Sequence, residues 1–133
     1  VIVVDTNVIA YLYLPNEHTQ MAEQLLAHDP EWAAPLLWRS ELRNVLALYV
    51  RQQLLDLDGA YAIQTEAESL VAGREYDVGS LDVLTLACSS GCSAYDCEFV
   101  ALARHLNTRL VTVDQQLVRR FKSTAVSLRR SLQ

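Results

Sequence analysis

Two carboxylates stand at equivalent points of this 133-residue chain. Asp5 follows the aliphatic run "VIVV" (Val1 to Val4), and Asp114 follows "LVTV" (Leu110 to Val113). An apolar run without polar alternation reads as a strand buried on both faces, as in a parallel sheet covered by helices. If both strands run the same way in one sheet, both acids arrive at its carboxyl edge, where open α/β sheets bind ligands. Each is also a favoured helix N-cap at a strand-to-helix junction. Two further acids bear on the same question. Glu41 is one position from the apolar Leu42 in a helical pattern, which suits a sheltered side chain as well as a solvated one. Asp96 opens the segment "SAYDCEFVALARHL", where Ser93-x-x-Asp96 also reads as a capping box. Gathered at one edge, four carboxylates would repel and raise one another's pKa. A divalent cation relieves that conflict, and an all-oxygen ligand set suits Mg²⁺ or Mn²⁺ better than zinc. His18, His28 and His105 are unpaired and read as core or surface residues; Cys88, Cys92 and Cys97 read as reduced core thiols.

These acids need a scaffold that converges. Strands are expected at "VIVV" and "RLVTV" (Arg109 to Val113), with weaker candidates at "EWAAP", "REYDV" and "AVSL". Between them, Met21, Leu25 and His28 share a helical stripe. Trp38, Leu42, Val45, Leu46 and Tyr49 follow amphipathic spacing from a start at Pro35, and Tyr95, Phe99, Leu102, Ala103 and Leu106 repeat that spacing. Leu57 to Val71 and Leu81 to Cys88 supply two more helices, with turns marked by Gly59, Gly73, Gly79 and Gly91. Alternating strands and helices predict an α/β fold, a three-layer sandwich with a mostly parallel central sheet flanked by helices, formed by residues 1–133 as one domain. Half the residues are hydrophobic (51%), but no run approaches the ~20 that a membrane-spanning helix needs. The aliphatic start lacks a basic leader, so the expectation is a cytoplasmic protein with no membrane association. The net charge of −5 argues against binding nucleic acid through a broad basic surface, although Arg119, Arg120, Lys122, Arg129 and Arg130 crowd the last part of the chain.

In this order, "VVDTNVIAYL", "SELRNVL" and "AYDCEFVALARHLNTRLVTVD" resemble the PIN-domain nucleases, and most closely the VapC-type ribonuclease toxins of prokaryotic toxin–antitoxin modules. The resemblance covers nearly the whole chain. It implies that Asp5, Glu41, Asp96 and Asp114 form an acidic quartet holding Mg²⁺ or Mn²⁺, with Thr6, Asn7 and Thr112 as the polar residues that orient the quartet or its waters. Glu98, on a different helical face from Asp96, is an optional extra ligand. The implied reaction is phosphodiester hydrolysis of single-stranded or loop RNA, with Asp114 or Glu98 as the general base and Arg43, Arg119 and Arg120 holding flanking phosphates. A cognate antitoxin and a homodimer are the implied partners; Trp38, Tyr49 and the helices around Leu57 to Val71 read first as core, with any apolar face left over available to a dimer or antitoxin groove. The main alternative is a catalytically silent PIN-fold binding module acting through partner contact. A phosphoacceptor domain with Asp5 as nucleophile is disfavoured, because Asn7 stands where a second acid is wanted and Lys122 is the only lysine.

Overall fold

The computed structural model describes residues Val1–Gln133. Five short strands form one sheet: β1 (Ile2–Val4), β2 (Trp32–Pro35), β3 (Glu75–Tyr76), β4 (Leu110–Thr112) and β5 (Ala125–Ser127). Their order is β3-β2-β1-β4-β5 and every neighbouring pair is parallel. All five expected strand segments are present, and "mostly parallel" becomes entirely parallel. The chain lays strands outward from β1 to β3, then returns to the other side of β1 with β4. The order therefore reverses between β1 and β4, the topological switch point of an open sheet.

Eight helices flank the sheet: α1 (Thr6–Tyr13), α2 (Thr19–His28), α3 (Leu37–Arg51), α4 (Leu57–Leu70), α5 (Ser80–Ser90), α6 (Ala94–His105), α7 (Gln115–Arg120) and α8 (Leu128–Ser131). Helices α1, α2, α3, α4 and α8 pack in series, α5 packs on α6, and α6 lies against β1, β2 and β4. Burial on two sides explains the strand sequences. Ile2, Val3 and Val4 of β1, Trp32, Ala33 and Ala34 of β2 and Leu110 and Val111 of β4 are all buried, so the three central strands show no polar alternation, whereas the edge strands β3 and β5 are partly exposed. No helix is long and apolar enough to cross a membrane.

Several local expectations are corrected. Pro35 closes β2, where it lies in register with Tyr76, and α3 starts two residues later; a proline suits a strand terminus as well as a first helical turn. Gly59 lies within the first turn of α4, donating its backbone N–H to the Asp56 cap (2.7 Å), whereas Gly91 does end α5 in the left-handed conformation (φ 76°). Cys88 is exposed while Cys92 and Cys97 are buried thiols, and His28 is exposed while Ala22 and Leu25 fill the buried side of α2. Trp38 is wholly buried and donates its indole N–H to Glu75 (2.7 Å), so it belongs to the core and offers no face to a partner. The exposed apolar side chains of that region are Leu36, Leu48, Leu54, Leu57 and Tyr61.

Candidate active site

The switch point is where the acids meet. Val4 pairs with Val111, which sets Asp5 level with Thr112 one step further along both strands, and the Asp5 backbone N–H donates to Val111 O (3.1 Å). Level residues of adjacent parallel strands project to the same side, so the Thr112 hydroxyl donates to Asp5 Oδ2 in a short contact. The same hydroxyl accepts the Asp114 backbone N–H (3.0 Å). One buried threonine thus ties together the two acids that end the two central strands.

Both aspartates are also the N-caps that their positions allow. Asp5 Oδ1 accepts from the Val8 N–H (3.2 Å), and Asp114 Oδ1 accepts from Gln116 and Leu117 (2.8 and 3.2 Å). Capping occupies one oxygen of each carboxylate and holds its plane, so the capping and site readings are compatible. Glu41 comes from α3, where Leu42 and Leu46 face the core and Glu41, Asn44 and Val45, spaced i, i+3, i+4, face the sheet edge. Its Oε1 accepts the Thr6 hydroxyl proton (2.6 Å). Asp96 stands in the first turn of α6, whose N-cap Ser93 accepts the Asp96 backbone N–H (3.0 Å), and Phe99 lies one turn on.

Asp5, Glu41, Asp96 and Asp114, from four separate segments, line a single cleft of about 250 Å³ together with Thr6, Asn7, Asn44, Val45, Phe99 and Leu117. Burial pushes the Asp5 carboxyl above the usual carboxylate range, against the pull of Thr112 and backbone N–H groups. Burial likewise raises Glu41, opposed by Thr6 and reinforced by the charges of Asp96, Asp5 and Glu98. Asp96 is raised by burial, opposed by Ser93 and reinforced by Asp114. Three carboxyls in one cleft are therefore less acidic than free ones, chiefly because they are drawn out of water, with repulsion between neighbours a lesser contribution at Glu41 and Asp96.

This donor set suits a hard cation. No three His, Cys, Asp or Glu side chains stand close enough together to hold a metal ion between them. Mg²⁺ keeps several of its waters and binds through one or two carboxylates. The cleft supplies carboxylate oxygens and neutral amides and hydroxyls, with no sulfur or imidazole.

The remaining expected site residues fall elsewhere, for reasons of helical geometry. Glu98 is two residues from Asp96, roughly 200° round the helix, and lines a neighbouring groove with Leu36, Tyr76 and Asp77. Arg43 bears the same relation to Glu41; it faces α4, where its guanidinium lies 3.9 Å from Glu68. Arg119 and Arg120 end the six-residue α7, about 9 Å along the helix from the capping Asp114. None of the three arginines lines the cleft. Asn44 is the cleft residue that sequence reasoning passed over; its i+3 spacing from Glu41 in "SELRNVL" was the available signal.

Comparison with known proteins bears on the family and the fold. Ribonuclease VapC3 of Pyrobaculum aerophilum is 32% identical over 123 residues, spanning 90% of this chain and 94% of that protein. Among solved structures, PAE2754 from the same organism superposes with a TM-score of 0.77 at 23% identity, covering 98% of this chain and 92% of that one. A toxin–antitoxin complex from Klebsiella pneumoniae contains a chain with a TM-score of 0.68 at 16% identity, with coverage of 96% and 98%. The family model of the PIN domain matches residues 2–122, a span that contains all four cleft acids and the whole central sheet up to β4, and by that match the chain belongs to the PIN-domain family.

Proposed function

We propose that the chain is a divalent-metal-dependent ribonuclease and the toxin of a toxin–antitoxin pair. The observation that carries this reading is the convergence of Asp5, Glu41, Asp96 and Asp114 in one cleft at the switch point of the sheet. The likeness to a ribonuclease over nine-tenths of the chain supports the choice of RNA as substrate. A chain of the same fold in a toxin–antitoxin complex supports an antitoxin partner, and a homodimer is proposed on the family resemblance.

In this reading carboxylates of the quartet would hold Mg²⁺ or Mn²⁺, which when bound would supply a water of lowered pKa and a positive charge for the phosphate, with Asp114 left to act on that water. The residues of the chain prepare that chemistry. Thr112 holds Asp5 in a fixed rotamer and, through the Asp114 backbone N–H, fixes the start of α7. Thr6 orients Glu41, leaving its Oε2 free of that contact. Asp114 gives Oδ1 to two backbone N–H groups and keeps Oδ2 available to take a proton from the attacking water. Glu98, in the neighbouring groove, is the less suitable base of the two.

The decisive assay is cleavage of a single-stranded RNA by the purified protein in Mg²⁺ or Mn²⁺ and in EDTA. Metal-dependent cleavage that Asp5→Asn and Asp96→Asn both abolish, with the far-ultraviolet circular dichroism retained, is the expected result. Cleavage by either variant at the parental rate overturns the reading. Intact folding with neither cleavage nor Mg²⁺ or Mn²⁺ binding by calorimetry would favour a silent binding module.

A further inference from the structure

An anionic substrate meets an unusual wall in this cleft. Four carboxylates line it, and no Lys or Arg does. The arginines nearest in sequence lie away from it: Arg39 is paired with Glu75 and Glu68, Arg43 is on the α4 side near Glu68, and Arg119 and Arg120 lie at the far end of α7. Any direct contact from the cleft's side chains to a phosphodiester must therefore come from a neutral donor. The wall offers Thr6, Asn7 and Asn44. Thr6 already gives its hydroxyl proton to Glu41. Asn44 is exposed, one helical turn from Glu41, and its amide carries two N–H donors without a charge. A cation at this position would pair with Glu41 at i, i+3 spacing and neutralise a carboxylate that the metal needs. An uncharged amide avoids that competition.

We propose that Asn44 is a substrate-holding residue, its side-chain amide donating to a non-bridging phosphate oxygen of the RNA strand in the acid-lined cleft. The proposal rests on the nuclease reading above and adds to it how an acidic chain grips its substrate. It has a signature that a salt bridge lacks. A neutral donor releases no counterion from the strand, so its contribution to affinity is insensitive to salt.

The test is the binding of a short fluorescein-labelled single-stranded RNA, followed by anisotropy in Ca²⁺, an oxygen-seeking cation that keeps the carboxylates neutralised, across a range of salt concentrations. Asn44→Ala is expected to raise Kd about tenfold, the scale of one hydrogen bond to a charged group. The slope of log Kd against log salt stays that of the parent for Asn44→Ala, and steepens by about 0.7 for Asn44→Arg. Parental affinity in Asn44→Ala, a flattened slope in that variant, or no measurable affinity of the parent at low salt overturns the proposal. Cleavage of the same RNA by the parent in Mg²⁺ reports separately on the nuclease reading. A parent that binds through Asn44 without cleaving sinks that reading and keeps the grip; a parent that cleaves as well as Asn44→Ala, with equal KM, sinks the grip alone.

Discussion

Helix α3 lies between two groups of acids in different surroundings. On the cleft side, Asp5, Glu41 and Asp96 gather with no basic partner, and all three are pushed above the usual carboxylate range, burial being the main cause. On the opposite flank, Arg39 grips Glu75 with two parallel hydrogen bonds (2.6 and 2.7 Å) and reaches Glu68 with a third (3.0 Å). Trp38 adds a donor to Glu75, and Gln64 adds one to Glu68 (2.9 Å). There the Arg39 hydrogen bond holds Glu75 below the usual range despite its burial. The same residue type is paired where it staples β3 and α4 to α3, and left unpaired where the sheet edge opens. Net charge says nothing about this division; it is local pairing that separates structural acids from acids available to a cation.

Substitutions test that contrast. The largest expected effect is on cleavage: Asp96→Asn reduces it to background, while Glu68→Gln on the paired flank leaves it within a fewfold of the parent in the same single-turnover RNA assay. Thr112→Val, which removes the hydroxyl shared by Asp5 and Asp114, should weaken cleavage or Mg²⁺ affinity by about ten- to a hundredfold, read by metal titration. Stability should respond in the opposite sense from activity. Arg39→Ala leaves two carboxylates without their cation and should cost about 2 kcal/mol in urea unfolding. Asp96→Asn and Glu41→Gln remove unrelieved repulsion and should raise stability at neutral pH by a few tenths of a kcal/mol, on the scale of other small surface-charge effects.

The smallest effects carry the sign of the contrast into pH. The raised carboxyls bind more protons in the folded than in the unfolded chain, at pH values just above the ordinary Asp and Glu pKa of 3.8 and 4.5. Their contribution to stability therefore falls as pH rises through that window. Glu75 does the reverse: its contribution is fully present above 4.5 and is lost as pH falls through its lowered folded pKa. Glu75→Gln should accordingly flatten the acid limb of the stability curve, and Glu41→Gln the limb above it. Added Mg²⁺ should raise the melting temperature at pH 7 and lose that effect near pH 4, since a cation that binds only the folded chain stabilises it by mass action and competes there with protons. Equal Mg²⁺ stabilisation of Asp96→Asn and the parent would dissolve the distinction between the two flanks.

Much of the scaffold was legible because the physics behind it is local. Unbroken aliphatic runs locate β1 and β4, and 3.6-residue spacing locates α3 and α6, since a buried strand and an amphipathic helix each leave a periodic record. Asp5 and Asp114 were legible as a pair for the same reason: each follows its strand directly. Glu41 and Asp96 were placed in the quartet by family resemblance, because nothing in a single helix tells whether an acid one position from the apolar stripe faces solvent or a neighbouring sheet edge. The arginines show the limit most plainly. Arg43 shares a helix with Glu41, yet two residues of helical rotation turn it toward Glu68, and spacing alone could not say which direction held the cleft. For Asn44, a neutral amide on an exposed helix turn, the i+3 spacing from Glu41 is the single mark in the sequence, and it gains meaning only once Glu41 is known to face the cleft.

The order of residues along the chain determined that two strands would each end in an aspartate, that the sheet would be buried on both faces, and that α3 and α6 would each carry an acid near the edge of an apolar stripe. Tertiary structure alone decided that β4 returns beside β1, in the register that sets Asp5 level with Thr112, and that of the two flanks of α3 one brings Arg39 to Glu68 and Glu75 and the other brings Glu41 to three more carboxylates. The reason is one of range: hydrophobic periodicity acts over a few residues, whereas the pairing of charges from segments more than a hundred residues apart depends on how packed layers close around them.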